Sequence, residues 1–264
     1  LHFRGRVAKT NLPSNTAFRG FGGPQGALII EEVMNQASER LNLDPAQLKA
    51  RNFYGPAPRN ITPYGQEVIA DRSQRIYDEL ILSSSYQQRR TDIENWNQGN
   101  PWIKRGIAYQ AIKFGISFTA SHLNQAGALV MIYADGSVQL NHGGTEMGQG
   151  LHTKMLTICA HELGVTLNHI RMMNTATDKV PNTSATAASS GSDLNGQAVA
   201  LACRTLITRL RPVAATLFDF ADPDSEAANV RFEGGLVSHP QRTTNLTFEA
   251  VTQAAYMAQV SLSD

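Results

Sequence analysis

The stretch Ala128-Leu129-Val130-Met131-Ile132-Tyr133-Ala134-Asp135-Gly136-Ser137-Val138-Gln139-Leu140-Asn141-His142-Gly143-Gly144-Thr145-Glu146-Met147-Gly148-Gln149-Gly150-Leu151 decides the fold class. Ala128 to Ala134 is β-branched and apolar enough for a strand. Asp135-Gly136 joins it to a second strand, Ser137 to Asn141, by the strongest short-range hairpin signal. A glycine loop, His142 to Gly150, follows. Leu151, Met155, Leu156, Cys159 and Leu163 then recur at helical spacing, and Gly164 ends that helix. Strand and helix signals alternating within one run predict a mixed α+β chain.

Downstream of this stretch, Ile170 to Asn174 reads as a short strand. The small-residue loop Thr183 to Ser192 leads into a long helix from about Asp193 to Arg211. Upstream, Ile112 to Thr119 alternates as a strand would, and polar helical sequence fills Ile76 to Trp96. Nearer the start, Gly20-Phe21-Gly22-Gly23-Pro24 is a glycine corner before a helix carrying Leu28, Ile29, Val33, Met34, Ala37 and Leu41. Asp44-Pro45 caps and opens a second, short helix to about Phe53. Gly55, Pro56, Pro58, Pro63 and Gly65 mark a linker. The expected organisation is one subdomain over residues 1–57, a connection over 58–100 and a second subdomain over 101–264.

Composition narrows the function classes. The 264 residues are 42% hydrophobic and 17% charged, with a formal net charge of +1. Disorder needs lower hydrophobicity or stronger charge, and a nucleic-acid surface needs a basic stripe. No apolar run reaches the ~18 residues of a membrane-spanning helix. Two cysteines, Cys159 and Cys203, make no disulfide framework and fit a reducing, cytoplasmic setting. The chain opens without methionine and stops at Ser263-Asp264 without punctuation, so we read it as a piece of a longer protein.

Three loops rich in glycine or small residues stand at helix starts: Arg19 to Gly26, Gly143 to Gly150 and Thr183 to Ser192. Such loops expose backbone N–H groups and let a ligand approach the main chain. The first has the spacing Gly-x-Gly-x-x-x-Gly and no preceding apolar strand, so it is not a dinucleotide fingerprint. His152 and His161 lie on opposite faces of one helix, and Cys159 on a third, so these side chains build no metal site. Ordinary solvated or packed histidines are expected there. The combination suits a large organic cofactor held chiefly by backbone.

The run Thr10-Asn11-Leu12-Pro13-Ser14-Asn15-Thr16-Ala17-Phe18-Arg19-Gly20-Phe21-Gly22-Gly23-Pro24-Gln25 resembles the molybdenum-binding region of the xanthine dehydrogenase family. The match continues through Lys113 to Thr119, Gly144 to Met155, Val180 to Ser184 and Asp193 to Gln197. The resemblance implies a molybdenum–molybdopterin cofactor. Arg19 and Ala188 would lie beside the molybdenum, and Ala17 and Phe18 would line the same wall. Met147, Gly148 and Gln149, with Thr186, Ala187, Ala188 and Ser189, would hold the pterin and its phosphate. Phe21 would stack on a purine face-on and Phe118 meet it edge-on, with Thr119 hydrogen-bonding the substrate.

The activity implied is oxidation of hypoxanthine and xanthine to urate, with electrons leaving through 2Fe–2S clusters and FAD to NAD. The partners implied are the iron–sulfur and FAD segment or subunit, in a dimer of heterodimers, with no nucleic acid and no membrane. Gly23 and the Phe118-Thr119 pair resemble the purine enzymes more than the aldehyde oxidases. Gly191 departs from the serine common in the family's animal enzymes; backbone amides can replace that serine's hydrogen bond to the phosphate. The family's catalytic base sits in a Gly-Glu pair. No Gly-Glu occurs here and Glu146 is not its counterpart, so the base is expected beyond the C-terminus and the piece alone is expected to be inactive. The other readings are an aldehyde oxidase-like hydroxylase and a non-catalytic truncated fragment.

Overall fold

The computed structural model describes residues 4–14, 18–180 and 182–264. Ala17 therefore lies outside the described residues. The chain divides into two compact units, residues Leu1–Gly115 and Ile116–Asp264. Among the described residues it carries eight α-helices and two three-stranded sheets, the α+β class expected from the sequence. No helix among them is long and apolar enough to cross a membrane.

The first unit is helical. Helix α1 (Gly23–Leu41) has Pro24 in its first turn, and its apolar Leu28, Ile29 and Val33 are exposed. Asp44 caps α2 (Pro45–Ala50), its carboxylate accepting the Ala46 N–H at 2.7 Å and that of Gln47 at 3.3 Å. The polar segment read as one helix from Ile76 to Trp96 is two, α3 (Ser73–Ser83) and α4 (Tyr86–Gly99). They break at Ser84-Ser85: Ser85 is left-handed at φ 50°, and the Ser84 hydroxyl bonds back to the Leu80 carbonyl at 2.6 Å. Serine side chains compete for backbone groups in this way and weaken a helix interior. A small core joins Ala46, Tyr86 and Tyr109, with Phe53 and Tyr77 edge-on at its margin. Buried against it, Lys49 pairs with Glu31 and donates to the Tyr109 carbonyl at 2.7 Å.

The second unit holds the large core. Strands β1 (Ala128–Ile132) and β2 (Val138–His142) form the expected hairpin, with Ile132 opposite Val138. Gly136, at φ 82°, makes the turn, and the Asp135 carboxylate accepts from both the N–H and the hydroxyl of Ser137. Parallel pairing of β2 with β3 (Ile170–Met172) requires a crossover, which α5 (Leu151–Leu163) supplies. Helix α5 ends at Gly164, left-handed at φ 68°, as the sequence predicts. Helix α6 (Gly191–Leu217) lies against α5 and β1 and buries Val199, Cys203, Leu206, Leu210 and Ala214.

Two expectations fail, one inside this unit and one across its start. The sequence ends the long helix near Arg211, before Pro212, yet α6 runs six residues further, to Leu217. Proline costs an interior helix ~3 kcal/mol. Here Leu210, Ala214, Ala215 and Phe218 enter the core on both sides of it and offset that cost. The alternating run Ile112 to Thr119 forms no strand. Alternation supplies a face but not a partner backbone; Ile112, Phe114 and Ile116 remain exposed, and Ser117 turns left-handed at φ 75°. After the short helix α7 (Pro223–Glu226), a further sheet of β4 (Arg231–Glu233), β5 (Leu236–Ser238) and β6 (Leu246–Thr247) leads into α8 (Phe248–Met257); the sheet is absent from the sequence reading. The Gly234-Gly235 turn between β4 and β5 was the signal available for it.

Candidate cofactor site

Two of the three small-residue loops converge in the second unit. Loop 143–150 leaves the end of β2, and loop 183–190 leads into α6. They are fastened by side chains bonding to backbone. The Thr186 hydroxyl accepts the Thr145 N–H at 2.8 Å, which joins the two loops, and Thr175, in the segment after β3, steadies the first loop by donating its hydroxyl to the Gly144 carbonyl at 3.1 Å. Gly143 lies directly beneath Thr183, and Gly144 faces Leu151 and the Asn195 carboxamide. Neither glycine leaves room for a Cβ: Gly143 sets how closely the two loops approach, and Gly144 how closely the first loop sits on α5 and α6.

Glu146 organises the first loop. Its carboxylate accepts the N–H groups of Gly148 at 2.8 Å, Gly150 at 3.0 Å and His152 at 2.9 Å. These include donors at the start of α5, where Gly150 offers no capping side chain. The His152 N–H, with those of Gly150 and Gly148, holds the carboxyl down at about 2. The sequence reading dismissed Glu146 as a base and missed this role; a carboxylate between glycines just before a helix was the available signal. Gln149 closes the loop on itself, accepting the Met147 N–H at 2.5 Å and donating to the Thr145 carbonyl at 2.8 Å.

Beneath the loop lies a histidine pair that sequence reasoning also missed. His142 is buried and meets His152 edge-on, with ring centroids 5.2 Å apart. Burial, with His152 beside it, pushes the His142 imidazole down to about 4. The ring is therefore neutral, and because its Nδ1 accepts the Gly144 N–H at 3.0 Å, its proton sits on Nε2.

Both groups have the same sign of pH linkage. His142 falls below its ordinary 6.5 and Glu146 below 4.5, so each stabilises the fold at higher pH. The unit is expected to lose stability from about pH 6.5 down through about 4 because of His142. A second loss follows from about 4.5 down through about 2 because of Glu146. Glu146→Gln should shrink the lower step, to which Asp135 and Glu249 also contribute because hydrogen bonds hold their carboxyls below the ordinary range, and leave the upper one. Denaturant titrations across this pH range check it, and an unchanged lower step in Glu146→Gln would sink the assignment.

The other named residues are placed as follows. Ala188 and Ser189 are left-handed at φ 54° and 57°, which turns the loop sharply before α6. The Ala188 carbonyl accepts the Ser117 N–H at 2.8 Å, so Phe118 and Thr119 stand beside the 186–189 loop. Phe118 is half-buried, Thr119 exposed and Met147 exposed. Phe18, Arg19 and Phe21 lie exposed at the glycine corner of the first unit, with Phe21 at φ 41°. Among the described residues no group of three metal-ligating side chains occurs.

The loops fit an organic cofactor rich in donors and acceptors. His142 Nε2, His152 Nε2 and Asn195 Oδ1 are buried around Gly144 without a partner, and buried polar atoms are rarely left so. Comparison with known proteins defines the class: the molybdopterin cofactor-binding domain family matches residues 79–264, and a second family of the same description matches residues 1–53. The chain belongs to the molybdopterin cofactor-binding domain family. It is 52% identical over 209 residues to xanthine dehydrogenase of Calliphora vicina and 50% identical over 208 residues to xanthine dehydrogenase/oxidase of Mus musculus. Each alignment covers 79% of this chain and 15% of the relative, so the chain spans a small part of the curated relatives' length. Its fold is shared with quinoline 2-oxidoreductase from Pseudomonas putida 86, at 20% identity and TM-score 0.66 over 94% of this chain and 33% of that one.

Proposed function

We propose that this chain forms part of the cofactor and substrate pocket of a molybdenum hydroxylase that oxidises hypoxanthine and xanthine to urate. The reading is supported by identity near 50% to xanthine dehydrogenases. The observation that carries the pocket is the hydrogen bond from Ser117 to Ala188, which brings the Phe118-Thr119 pair beside the loop assigned to the cofactor. When bound, the molybdenum centre supplies the two-electron sink that allows a carbon–hydrogen bond of a heterocycle to be replaced by carbon–oxygen.

The chain's own residues bind and orient. Met147, Gly148 and Gln149, with Thr186, Ala187, Ala188 and Ser189, hold the pterin through backbone and small side chains. By the family resemblance, Arg19 and Ala188 would each serve the molybdenum centre, and Phe18 and Ala17, the latter outside the described residues, would serve its surroundings. By the same resemblance, Phe21 and Phe118 would each contact the flat substrate and Thr119 would hydrogen-bond it. No residue here is given the proton-abstracting role. Electrons pass to 2Fe–2S clusters, FAD and then NAD on other segments or a partner chain, in a cytoplasmic dimer of heterodimers. The organisation proposed is the C-terminal part of a first molybdenum subdomain over residues 1–57, a linker and helical connection over 58–100 and part of a second subdomain over 101–264.

The test is urate formation from xanthine by an intact enzyme containing this sequence, with metal analysis. Urate at full molybdenum occupancy is expected. Full molybdenum with turnover of aldehydes and none of xanthine would move the reading to an aldehyde oxidase-like enzyme. The 264-residue chain alone is expected to retain less than stoichiometric molybdenum and to make no urate.

A further inference from the structure

Phe118 sits where no sheet supports it, yet both of its backbone polar groups are paired. The Asn124 Oδ1 accepts the Phe118 N–H at 2.9 Å, and the Asn124 Nδ2 donates to the Phe118 carbonyl at 2.9 Å. One carboxamide thus does for Phe118 what a neighbouring strand does in a ladder. Asn124 is itself anchored. It is half-buried, its own N–H donates to the Ser121 carbonyl at 3.0 Å, and it ends the short 3-10 turn Ser121–Leu123. The residues after it are tied to the loop that leads to Ala188: the Gln125 carbonyl accepts the Ser184 N–H at 3.0 Å, and the Gly127 N–H donates to the Thr183 hydroxyl at 3.3 Å. With the Ser117–Ala188 bond, Phe118 is therefore referenced to one loop from both sides.

We propose that Asn124 is the positioning residue for Phe118: its carboxamide fixes the backbone from which the ring projects, and so sets the edge presented to a planar heteroaromatic substrate. Asn124 acts through Phe118 and takes no part in the chemistry. The proposal rests on the reading of Phe118 as a wall of the substrate pocket. A carboxamide is required because Phe118 needs an acceptor and a donor at once. Aspartate supplies only the acceptor and sets a negative oxygen against the Phe118 carbonyl; alanine supplies neither.

The experiment is a double-mutant cycle on Asn124 and Phe118 in the intact molybdenum enzyme, with xanthine as substrate, beside amide exchange at Phe118 in the 264-residue chain. Asn124→Ala is expected to raise KM about tenfold, below the ~100-fold that an ångström of misplacement costs, with a smaller change in kcat. Asn124→Asp should fall between wild type and alanine, and serves as the folded variant if alanine does not fold. Both should speed exchange at the Phe118 amide, Asn124→Ala more. In a Phe118→Ala background, Asn124→Ala should change KM no further. An equal rise in KM in both backgrounds would show a general structural role and overturn the proposal. If Phe118→Ala raises KM while Asn124→Ala speeds exchange and leaves KM alone, the positioning role fails and the pocket reading survives. If Phe118→Ala leaves KM unchanged, the pocket reading fails and the proposal falls with it.

Discussion

Gly143→Ala is expected to separate the two cofactor loops and lower pterin and molybdenum retention by about 10–100-fold, the range seen when groups supporting a metal site are disturbed. A Cβ on residue 143 falls 2.1 Å from the Thr183 hydroxyl oxygen, 2.3 Å from its Cβ and 2.4 Å from its Cγ2. One side must move, and overpacking of this kind costs ~1–3 kcal/mol. The movement acts on the hydrogen bond from Thr145 to Thr186, which is 2.8 Å long and holds the loops at their working separation. The rescue pattern is specific. Thr183→Ala removes the hydroxyl and methyl but leaves the Cβ in place, so it restores retention only in part; Thr183→Gly restores more. Metal and pterin analysis of the intact enzyme carrying each variant reads the retention, and the Thr145 amide shift in the 264-residue chain reads the loop separation. Wild-type retention in Gly143→Ala with an unmoved Thr145 amide would show that these loops do not set the cofactor site.

Glu31→Ala should destabilise the first unit by ~3–5 kcal/mol, the usual cost of leaving one charge of a buried pair alone. The charge left behind is Lys49, 6% exposed, whose remaining partner is the Tyr109 carbonyl. The effect is large because this unit's core is small: Ala46, Tyr86 and Tyr109 are its buried members, and Lys49 sits against them. Both tryptophans, Trp96 and Trp102, belong to this unit, so denaturation followed by tryptophan fluorescence reports on it selectively. Adding Lys49→Met to Glu31→Ala removes the orphaned charge and should recover most of the loss. A midpoint in Glu31→Ala equal to wild type would mean that the pair is not stabilising.

Much of the second unit was legible residue by residue. Asp135-Gly136 announced the hairpin because few residues tolerate its left-handed turn. Gly164 announced the end of α5 for the same reason, with both glycines at positive φ. The glycine loop before Leu151 was visible as a site because small residues at a helix start leave amides uncovered. The run Ile112 to Thr119 misled because alternation records which side is apolar and says nothing of a partner strand. The end of α6 was not legible because the core contacts that carry the helix past Pro212 to Leu217 are tertiary. His142 and His152, ten positions apart, gave no periodic signal; β2 and α5 bring them within 5.2 Å.

The sequence by itself determined the class of fold, the turns that glycine, proline and aspartate dictate, and the membership of a molybdopterin-binding family. Those follow from short-range sterics and from residue identities in order. Only the tertiary structure decided that loops 143–150 and 183–190 are fastened together, that Glu146 gathers three amides, and that Asn124 stands in for a strand beside Phe118. The reason is physical. Each of these depends on a side chain finding a backbone group whose position is set by other parts of the fold, and such pairings leave no pattern in the spacing of residues along the chain.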